Sequence, residues 1–380
     1  MLAGITHWNS RSEALAIVGI VAVATLAAVY LKRVLFGSLT LTDVMIPCLL
    51  LSRSQYEMLV GPTNLSHGPF PLLLTMLICL AWIQPNRLIR YGLVLSLNFL
   101  MIFTGFGLFM GLITPLLLAF DCHGAMRAKQ KGALVGGLVA GAIALLSLAS
   151  FFIGYVSVPG AGSFRLTFGN VLAYPRYAGL MFANVVGLKW YDRVGASVVG
   201  IGLLVCVVGA LVHHLRLMVR REIGAESISR IVAILLGYCL LFSIVAAIGR
   251  VGLGLHTAGA PRYFPYVAIG IVGLYFHLLT LRKTTIGKWG VTAVLLGAVV
   301  AGFHMTRLDE GTADRLSDGK RRWRSCYLRT EDIDACTKAA AFAIYPRPEA
   351  TGLKDKLDYL KGHKLNLFAE DPQDEETRRH

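Results

Sequence analysis

The sequence predicts an all-α integral membrane protein, a bundle of about 8–10 membrane helices with a short extracytoplasmic C-terminal tail. Hydrophobic residues make up 55% of the 380 residues and charged residues only 16%, whereas soluble domains carry roughly 25% charged residues. Several runs of about 18 or more residues are nearly uncharged, as membrane-spanning helices are. The net charge of +15 comes largely from short basic segments between those runs, which favours a membrane protein and not a nucleic-acid partner.

The uncharged runs give seven candidate spans and one longer stretch. The candidates are residues 14–31, 69–86, 132–157, 195–215, 229–249, 264–281 and 287–304. The stretch 91–121 is too long for one upright span, and its TGFG (104–107) and TP (114–115) sequences mark bends, since Gly and Pro interrupt membrane helices. We therefore predict two short helices there that form a hairpin.

Orientation follows from the basic segments, which the positive-inside rule assigns to the cytoplasm. The four segments are 86–90, 127–131, 216–221 and 282–288. With the hairpin in place, all four lie inside, and the loops 158–194 and 250–263 and the segment before residue 69 lie outside. We predict a multi-pass membrane domain over 1–304 and a small tail over 305–380, with the C-terminus extracytoplasmic. Cys326 and Cys336 flank YLRTEDIDA in that tail, where a disulfide is plausible because the compartment is oxidising.

The segment after the first span leaves two alternatives open. Lys32 and Arg33 follow that span, although the polar segment 51–70 is expected outside. Either residues 34–51 form a further span, which obeys the charge rule, or the two cations snorkel at the outer interface.

The outer side then carries an unusual set of polar side chains. The connection RVGLGLHTAGAPRYFPY (250–266) holds Arg250, His256, Arg262 and Tyr263, and the sequence PRY recurs in the preceding outer loop, where it contains Arg176. A guanidinium matches phosphate oxygens bidentately, and glycines let backbone N–H groups approach an anion. We therefore expect this connection to bind a phosphate or pyrophosphate.

Structural interpretations compete with this one. Interfacial anchoring explains an arginine beside a tyrosine, as at Arg176. Arg250 lies at the boundary of the hydrophobic region, where its charge needs an ion-pair partner or a water-filled cavity. An ion pair with Glu57 or Asp43 would stabilise the charge there. Glu57 in turn has the helical i, i+4 spacing for a pair with Arg53.

A family resemblance joins these segments. The stretch AAIGRVGLGLHTAGAPRYFPYVAIGIVGLYF, the segment LSRSQYEMLVGPTNLSHGPF and the ending LDYLKGHKLNLFAEDP resemble loose motifs of uncharacterised bacterial multi-span proteins, often encoded near polysaccharide genes. The resemblance runs from about Asp43 to Asp371. That group is similar to glycosyltransferases of the GT-C type, which take a sugar from a polyprenyl-phosphate carrier at the extracytoplasmic face of the inner, cytoplasmic membrane. The acidic motif of the first outer loop in those enzymes has no paired counterpart here.

The resemblance implies a function in cell-envelope glycan assembly, with a lipid-linked sugar carrier and membrane lipids as partners. It places Arg250, Arg262 and Tyr263 near the carrier phosphate and Gln55 and Glu57 near the acceptor or donor. Transfer needs a base for the acceptor hydroxyl and a cationic group for the departing phosphate, which gives Glu57 the role of base. His256 is another candidate base. No cofactor is predicted, and a divalent metal is left open. A polymerase or ligase, and a transporter or flippase for a lipid-linked saccharide, are the rival functions.

Overall fold

The computed structural model describes residues 10–60, 62–155, 170–188, 193–220, 226–281, 285–305, 310–344 and 352–369. Its contacts divide the chain into two compact units. We call Ile17–Thr306 the membrane unit, and we call the second unit, which combines Met1–Ala16 with Arg307–His380, the tail unit. The described residues form helices joined by short connections, without a strand.

Twelve α-helices fall within the described residues up to Met305. They are α1 Ser10–Phe36, α2 Met45–Leu50, α3 Tyr56–Val60, α4 Pro69–Trp82, α5 Arg87–Ile102, α6 Leu108–Arg127, α7 Lys131–Ser150, α8 Ala173–Val185, α9 Arg193–Arg220, α10 Glu226–Arg250, α11 Phe264–Thr280 and α12 Thr285–Met305. Among the described residues, six are long and apolar enough to cross a membrane, namely α1, α6, α7, α9, α10 and α11. The predicted all-α class is therefore confirmed, and these six helices fit the predicted multi-pass membrane protein.

The predicted hairpin within 91–121 is present, but one of its two breaks is not. Helices α5 and α6 are separated by residues 103–107, where Phe106 adopts a left-handed φ of 61° and Gly105 N–H donates to the carbonyl of Ser66. The second break, expected at 114–115, was wrong, because α6 continues through Pro115. A proline is tolerated inside a membrane helix that packs against neighbouring helices. Helix α6 is tied to α5 beside the proline, where the Thr114 hydroxyl donates to Asn98 at 2.8 Å.

Helix α8 lies where the sequence predicted only a loop, 158–194. Most of its side chains from Tyr177 onward are buried. A Cβ added at Gly200 of α9 would overlap the backbone carbonyl of Gly179, so the two helix backbones cross in direct contact, as small residues allow between membrane helices. Parts of the predicted loop, residues 158–169 and 189–192, lie outside the described residues.

The helices give the membrane unit two distinguishable ends. The glycine-loop end comprises residues 251–263 and the turn at 103–107. The Tyr266 hydroxyl, just after the loop, connects the two by donating a hydrogen bond to Gly105 O at 3.2 Å. The opposite end, which we call the basic end, contains the α4–α5 and α6–α7 connections, 83–86 and 128–130, which fall within two of the predicted basic segments. A third basic segment, 282–288, lies partly outside the described residues.

Residues 41–60 form a broken helical element that runs back along α11. Asp43 accepts from the Tyr275 hydroxyl at 2.6 Å, close to the last turn of α11. Glu57 lies 4.0 Å from Arg262, which is two residues before the start of α11. The helix between these two contacts rises about 18 Å, at 1.5 Å per residue over twelve residues. The chain therefore travels from near the basic end to the glycine-loop end as two 3-10 turns and two short helices.

This path resolves the two alternatives for the segment after α1. Lys32 is buried, with 2% of its side chain exposed, and pairs with Asp43 at 2.7 Å, so it does not snorkel at an interface. The Phe36 ring packs against Phe276 of α11, which places the end of α1 at the basic end, where the charge rule expects cations. Burial of Lys32 contradicts snorkelling, and the segment that follows is a broken helical element that extends to residue 60 and not a single helix over 34–51.

The described part of the tail unit is a small helical fold with its own core. Its helices are α13 Glu310–Thr330, α14 Ile333–Ala340 and α15 Leu353–Gly362. Trp323 and Tyr327 stack at 4.9 Å and are buried with Leu357. A disulfide joins Cys326 to Cys336, whose Cα atoms are 5.5 Å apart, and it ties α13 to α14.

Candidate functional site

The glycine loop, residues 251–263, is built from three short 3-10 helices. They are Val251–Leu253, Leu255–Gly259 and Pro261–Tyr263. Gly254, between the first two, has a φ of +98°, and a Cβ there would lie 2.8 Å from the His256 ring. Both the backbone angle and the contact require glycine at this position, which explains in part why this connection is rich in that residue.

Two side chains of helix α8 hydrogen-bond to the glycine loop. The buried Tyr177 hydroxyl shares a hydrogen bond with the Thr257 hydroxyl at 3.0 Å, and the Asn184 amide donates to Gly259 O at 3.3 Å. Burial is the largest cause that raises the pKa of Tyr177 above its ordinary range; neighbouring Tyr263 also raises it, whereas Thr257 and Arg250 lower it. Tyr177 is therefore a neutral hydroxyl that fixes the loop, with Tyr263 and Arg250 within electrostatic reach.

The structure brings Glu57 and Arg262 together across the chain. The Arg262 Nη1 lies 4.0 Å from the Glu57 Oε2, with 52% and 39% of the two side chains exposed. The Arg262 guanidinium also lies over the Tyr263 ring at 5.5 Å. Neither charge is buried, so the pair is weak as a stabilising contact and both groups remain accessible to a ligand.

The other predicted site residues are spread around this pair. Arg250, the last residue of α10, and His256 are exposed at the same end. Arg176 is exposed on α8, and its Nε donates to the Ser197 hydroxyl at 3.3 Å. Gln55 differs, because its side chain is buried and its Nε2 donates to Leu50 O at 2.5 Å. Gln55 therefore holds the segment that carries Glu57 and does not face solvent.

Two features of this end were missed by sequence reasoning. Thr257 and Asn184 hold the glycine loop to α8, yet neither stands out in the sequence. The repeated PRY does give a signal, since its two tyrosines, Tyr177 and Tyr263, are neighbours that interact electrostatically. The repeated tripeptide thus indicated two segments that lie side by side in the fold.

Two further polar clusters lie away from this end. Lys32 and Asp43 form a buried pair, to which the Thr40 backbone N–H contributes a hydrogen bond of 2.5 Å. Toward the basic end, the ring nitrogens of His214 lie 3.1 Å from the Ser229 hydroxyl and 3.1 Å from His277 Nδ1. Within the described residues, no group of three or more His, Cys, Asp or Glu side chains has an arrangement that could hold a metal ion.

Comparison of the chain with protein-family models, with curated proteins and with solved structures finds no match. The resemblance to GT-C-type enzymes therefore rests on the sequence segments alone, and the function is a matter of inference from the site.

Proposed function

We propose that the protein is a glycosyltransferase-like membrane protein that acts on a polyprenyl-phosphate-linked sugar at the glycine-loop end. The juxtaposition of Glu57 with Arg262 supports this most directly. It joins a candidate base to a candidate phosphate-binding cation from segments about 200 residues apart, and it leaves both exposed. Arg250 adds a second accessible guanidinium at the same end.

Each group has a role in the proposed transfer. Glu57 accepts the proton of the acceptor hydroxyl while the sugar leaves the carrier phosphate. Arg250 and Arg262 hold that phosphate and stabilise its growing negative charge, for which a guanidinium fork is suited. His256 in the loop and Arg176 on α8 are further exposed binding groups, and the buried Tyr263 supports the Arg262 guanidinium with its ring. Gln55 keeps the Glu57 segment in place.

The same proposal includes a topology. Ten crossings result if the six long apolar helices are joined by α4, α5, α12 and the broken element 41–60, which is the upper value of the predicted 8–10. The glycine-loop end and the tail unit then lie on the extracytoplasmic side of the inner, cytoplasmic membrane, with the basic segments inside, as the charge rule favours.

A transporter or flippase for the same lipid-linked saccharide is the second candidate. The observation that favours it is the broken element with its buried Lys32–Asp43 pair. Discontinuous helices and buried ionisable residues are features of substrate pathways in transporters. This candidate assigns function to Asp43, whereas the transferase assigns it to Glu57.

Binding of polyprenyl phosphate to purified protein in nanodiscs tests the proposed site. Arg250→Ala and Arg262→Ala each remove a charge-assisted contact of about 1.5–3 kcal/mol, so binding should weaken by about 10- to 100-fold. Arg250→Lys should also weaken binding, because it keeps the charge but loses the fork. Arg33→Ala, an exposed arginine at the other end, is the matched control and should bind as the parent does. Unchanged binding by Arg250→Ala would show that the loop arginines are structural.

Glu57→Gln separates transfer from transport. A transferase should retain carrier binding but lose glycan modification in cells, since the amide cannot accept the proton. A flippase should keep its activity with Glu57→Gln and lose it with Asp43→Asn, measured as movement of a fluorescent polyprenyl-phosphate analogue between the leaflets of proteoliposomes. Full glycan modification by Glu57→Gln would remove the transferase assignment.

A further inference from the structure

A polar cavity of about 260 Å³ lies at the basic end of the membrane unit, far from the glycine loop. Residues of α5, α6, α7 and α10 line it. Arg230 lines it from α10, and the same helix ends at Arg250 of the proposed carrier site. Twenty residues of helix separate these two arginines, which corresponds to about 30 Å. The cavity is therefore a separate site from the glycine loop.

Three helix N-termini converge on this cavity. Its lining includes first-turn residues of α5 (Arg87, Arg90), of α7 (Ala133) and of α10 (Glu226, Ser227). The N-terminus of a helix carries a partial positive charge and N–H groups without helical partners, so it favours anions. Asn86 caps α5 with its side chain, but the corresponding residue of α7, Gln130, makes no capping hydrogen bond and itself lines the cavity.

The carboxylates in the cavity are already engaged. Arg230 is 95% buried, and its Nη2 contacts Asp121 at 2.5 Å and Glu226 at 2.9 Å. The other Asp121 oxygen accepts from the Tyr91 hydroxyl at 3.0 Å. One guanidinium and one hydroxyl thus satisfy both acidic groups.

The remaining cations are not satisfied in this way. Arg87 and Arg90 form no ion pair with a described residue. Arg90 donates to Gln84 O at 3.4 Å and lies over the Tyr91 ring at 5.6 Å. The Nε groups of Arg90 and Arg230 are buried and have no hydrogen-bond partner among the described residues. A buried donor without a partner costs about 1–3 kcal/mol, and three arginines against two carboxylates leave one positive charge in the lining.

We infer that this cavity binds a phosphate group, held by Arg87, Arg90 and the free Nε of Arg230. A phosphate supplies the negative charge that the lining lacks and several acceptor oxygens for guanidinium donors. It can come from a soluble phosphate compound or from the headgroup of an anionic phospholipid, since the cavity lies where the helices begin at the basic end. The inference does not depend on the proposed transfer at the other end.

The test uses the full chain in nanodiscs, with Arg250→Ala and Arg262→Ala introduced to remove the proposed carrier site. Titration calorimetry with inorganic phosphate in phosphatidylcholine nanodiscs examines the soluble source. Native mass spectrometry of protein from phosphatidylglycerol-containing nanodiscs examines the headgroup source. Arg87→Ala with Arg90→Ala is the site variant, because it leaves the Arg230–Asp121 pair intact. Arg127→Ala, an exposed arginine at the same end that does not line the cavity, is the matched control.

We expect saturable binding of one of the two probes, weakened at least tenfold by the Arg87/Arg90 variant and unchanged by Arg127→Ala. Phosphate binding identifies a soluble source, and retained phosphatidylglycerol without phosphate binding identifies a lipid headgroup. The inference is overturned if neither probe binds, or if the folded Arg87/Arg90 variant, checked by its elution volume and thermal transition, binds as tightly as its parent. Since the carrier site is absent from every protein compared, none of these results depends on the function of the glycine loop.

Discussion

Removing one partner of the buried Lys32–Asp43 pair should strongly destabilise the membrane unit. Asp43→Ala leaves an ammonium group that is 2% exposed without its carboxylate, which is 7% exposed and 2.7 Å away. It also leaves the Tyr275 hydroxyl and the Thr40 backbone N–H without their acceptor. Loss of one member of a buried pair costs about 3–5 kcal/mol, and we expect a loss in the free energy of unfolding within that range.

The double variant Lys32→Met with Asp43→Leu tests the cause. It removes both charges and keeps apolar volume, so the unpaired ammonium no longer contributes. Three hydrogen bonds are still lost, those with the Tyr275 hydroxyl, the Thr40 backbone N–H and Ser38 O, at about 0.5–1.5 kcal/mol each. We therefore expect the double variant to be more stable than Asp43→Ala, because only Asp43→Ala leaves an unpaired buried charge.

Reversible unfolding in mixed micelles by titration with sodium dodecyl sulfate, followed by tryptophan fluorescence, measures these differences. Arg33→Met is the matched control, since Arg33 is the exposed neighbour of Lys32, and exposed substitutions usually change stability by no more than about 0.5 kcal/mol. If Asp43→Ala costs no more than this control, or if the double variant is less stable than Asp43→Ala, the buried pair does not stabilise the fold in the way described.

Three further predictions follow from individual contacts. Gly200→Ala should lower thermal stability, because its Cβ would overlap the Gly179 carbonyl. The control Gly202→Ala, on the same helix, meets nothing within 4 Å and should be neutral or stabilising by up to about 1 kcal/mol. Equal thermal transitions for the two variants would contradict the close crossing of α8 and α9. Replacing Cys326 and Cys336 by serine should destabilise the tail unit by about 2–3 kcal/mol, on the chain-entropy estimate for a short loop. The loss of stability should appear as faster limited proteolysis of the tail unit. Two free thiols found by mass spectrometry of unreduced protein from cells would exclude the disulfide. Alkaline phosphatase fused after His380 should be active, because the basic segments then lie inside; activity of a cytoplasmic reporter at that position would reverse the proposed orientation.

The sequence alone determined the class of this protein and the approximate positions of its long helices. Hydropathy is a local property, and a run of about 18 apolar residues forms a helix in a bilayer whatever it later packs against. The break at 103–107 was also readable, because two glycines and a threonine interrupt the apolar run there. The prediction at Pro115 was wrong, since whether a membrane helix continues through a proline depends on the helices packed around it, and α6 is tied to α5 there by the Thr114–Asn98 hydrogen bond.

Only the tertiary structure decided which polar groups meet. Asp43 and Tyr275 are 232 residues apart, and Tyr177 and Thr257 are 80 apart. The sequence offered Arg53 and Arg250 as ion-pair partners of Glu57, whereas the fold places Glu57 beside Arg262. Helix α8 was read as a loop because its burial comes from α9, α10 and the glycine loop and not from its own length. The physical reason is common to these cases: local apolarity fixes where helices form, but the partner of a charge or a hydroxyl is chosen by packing between segments that are distant in the chain.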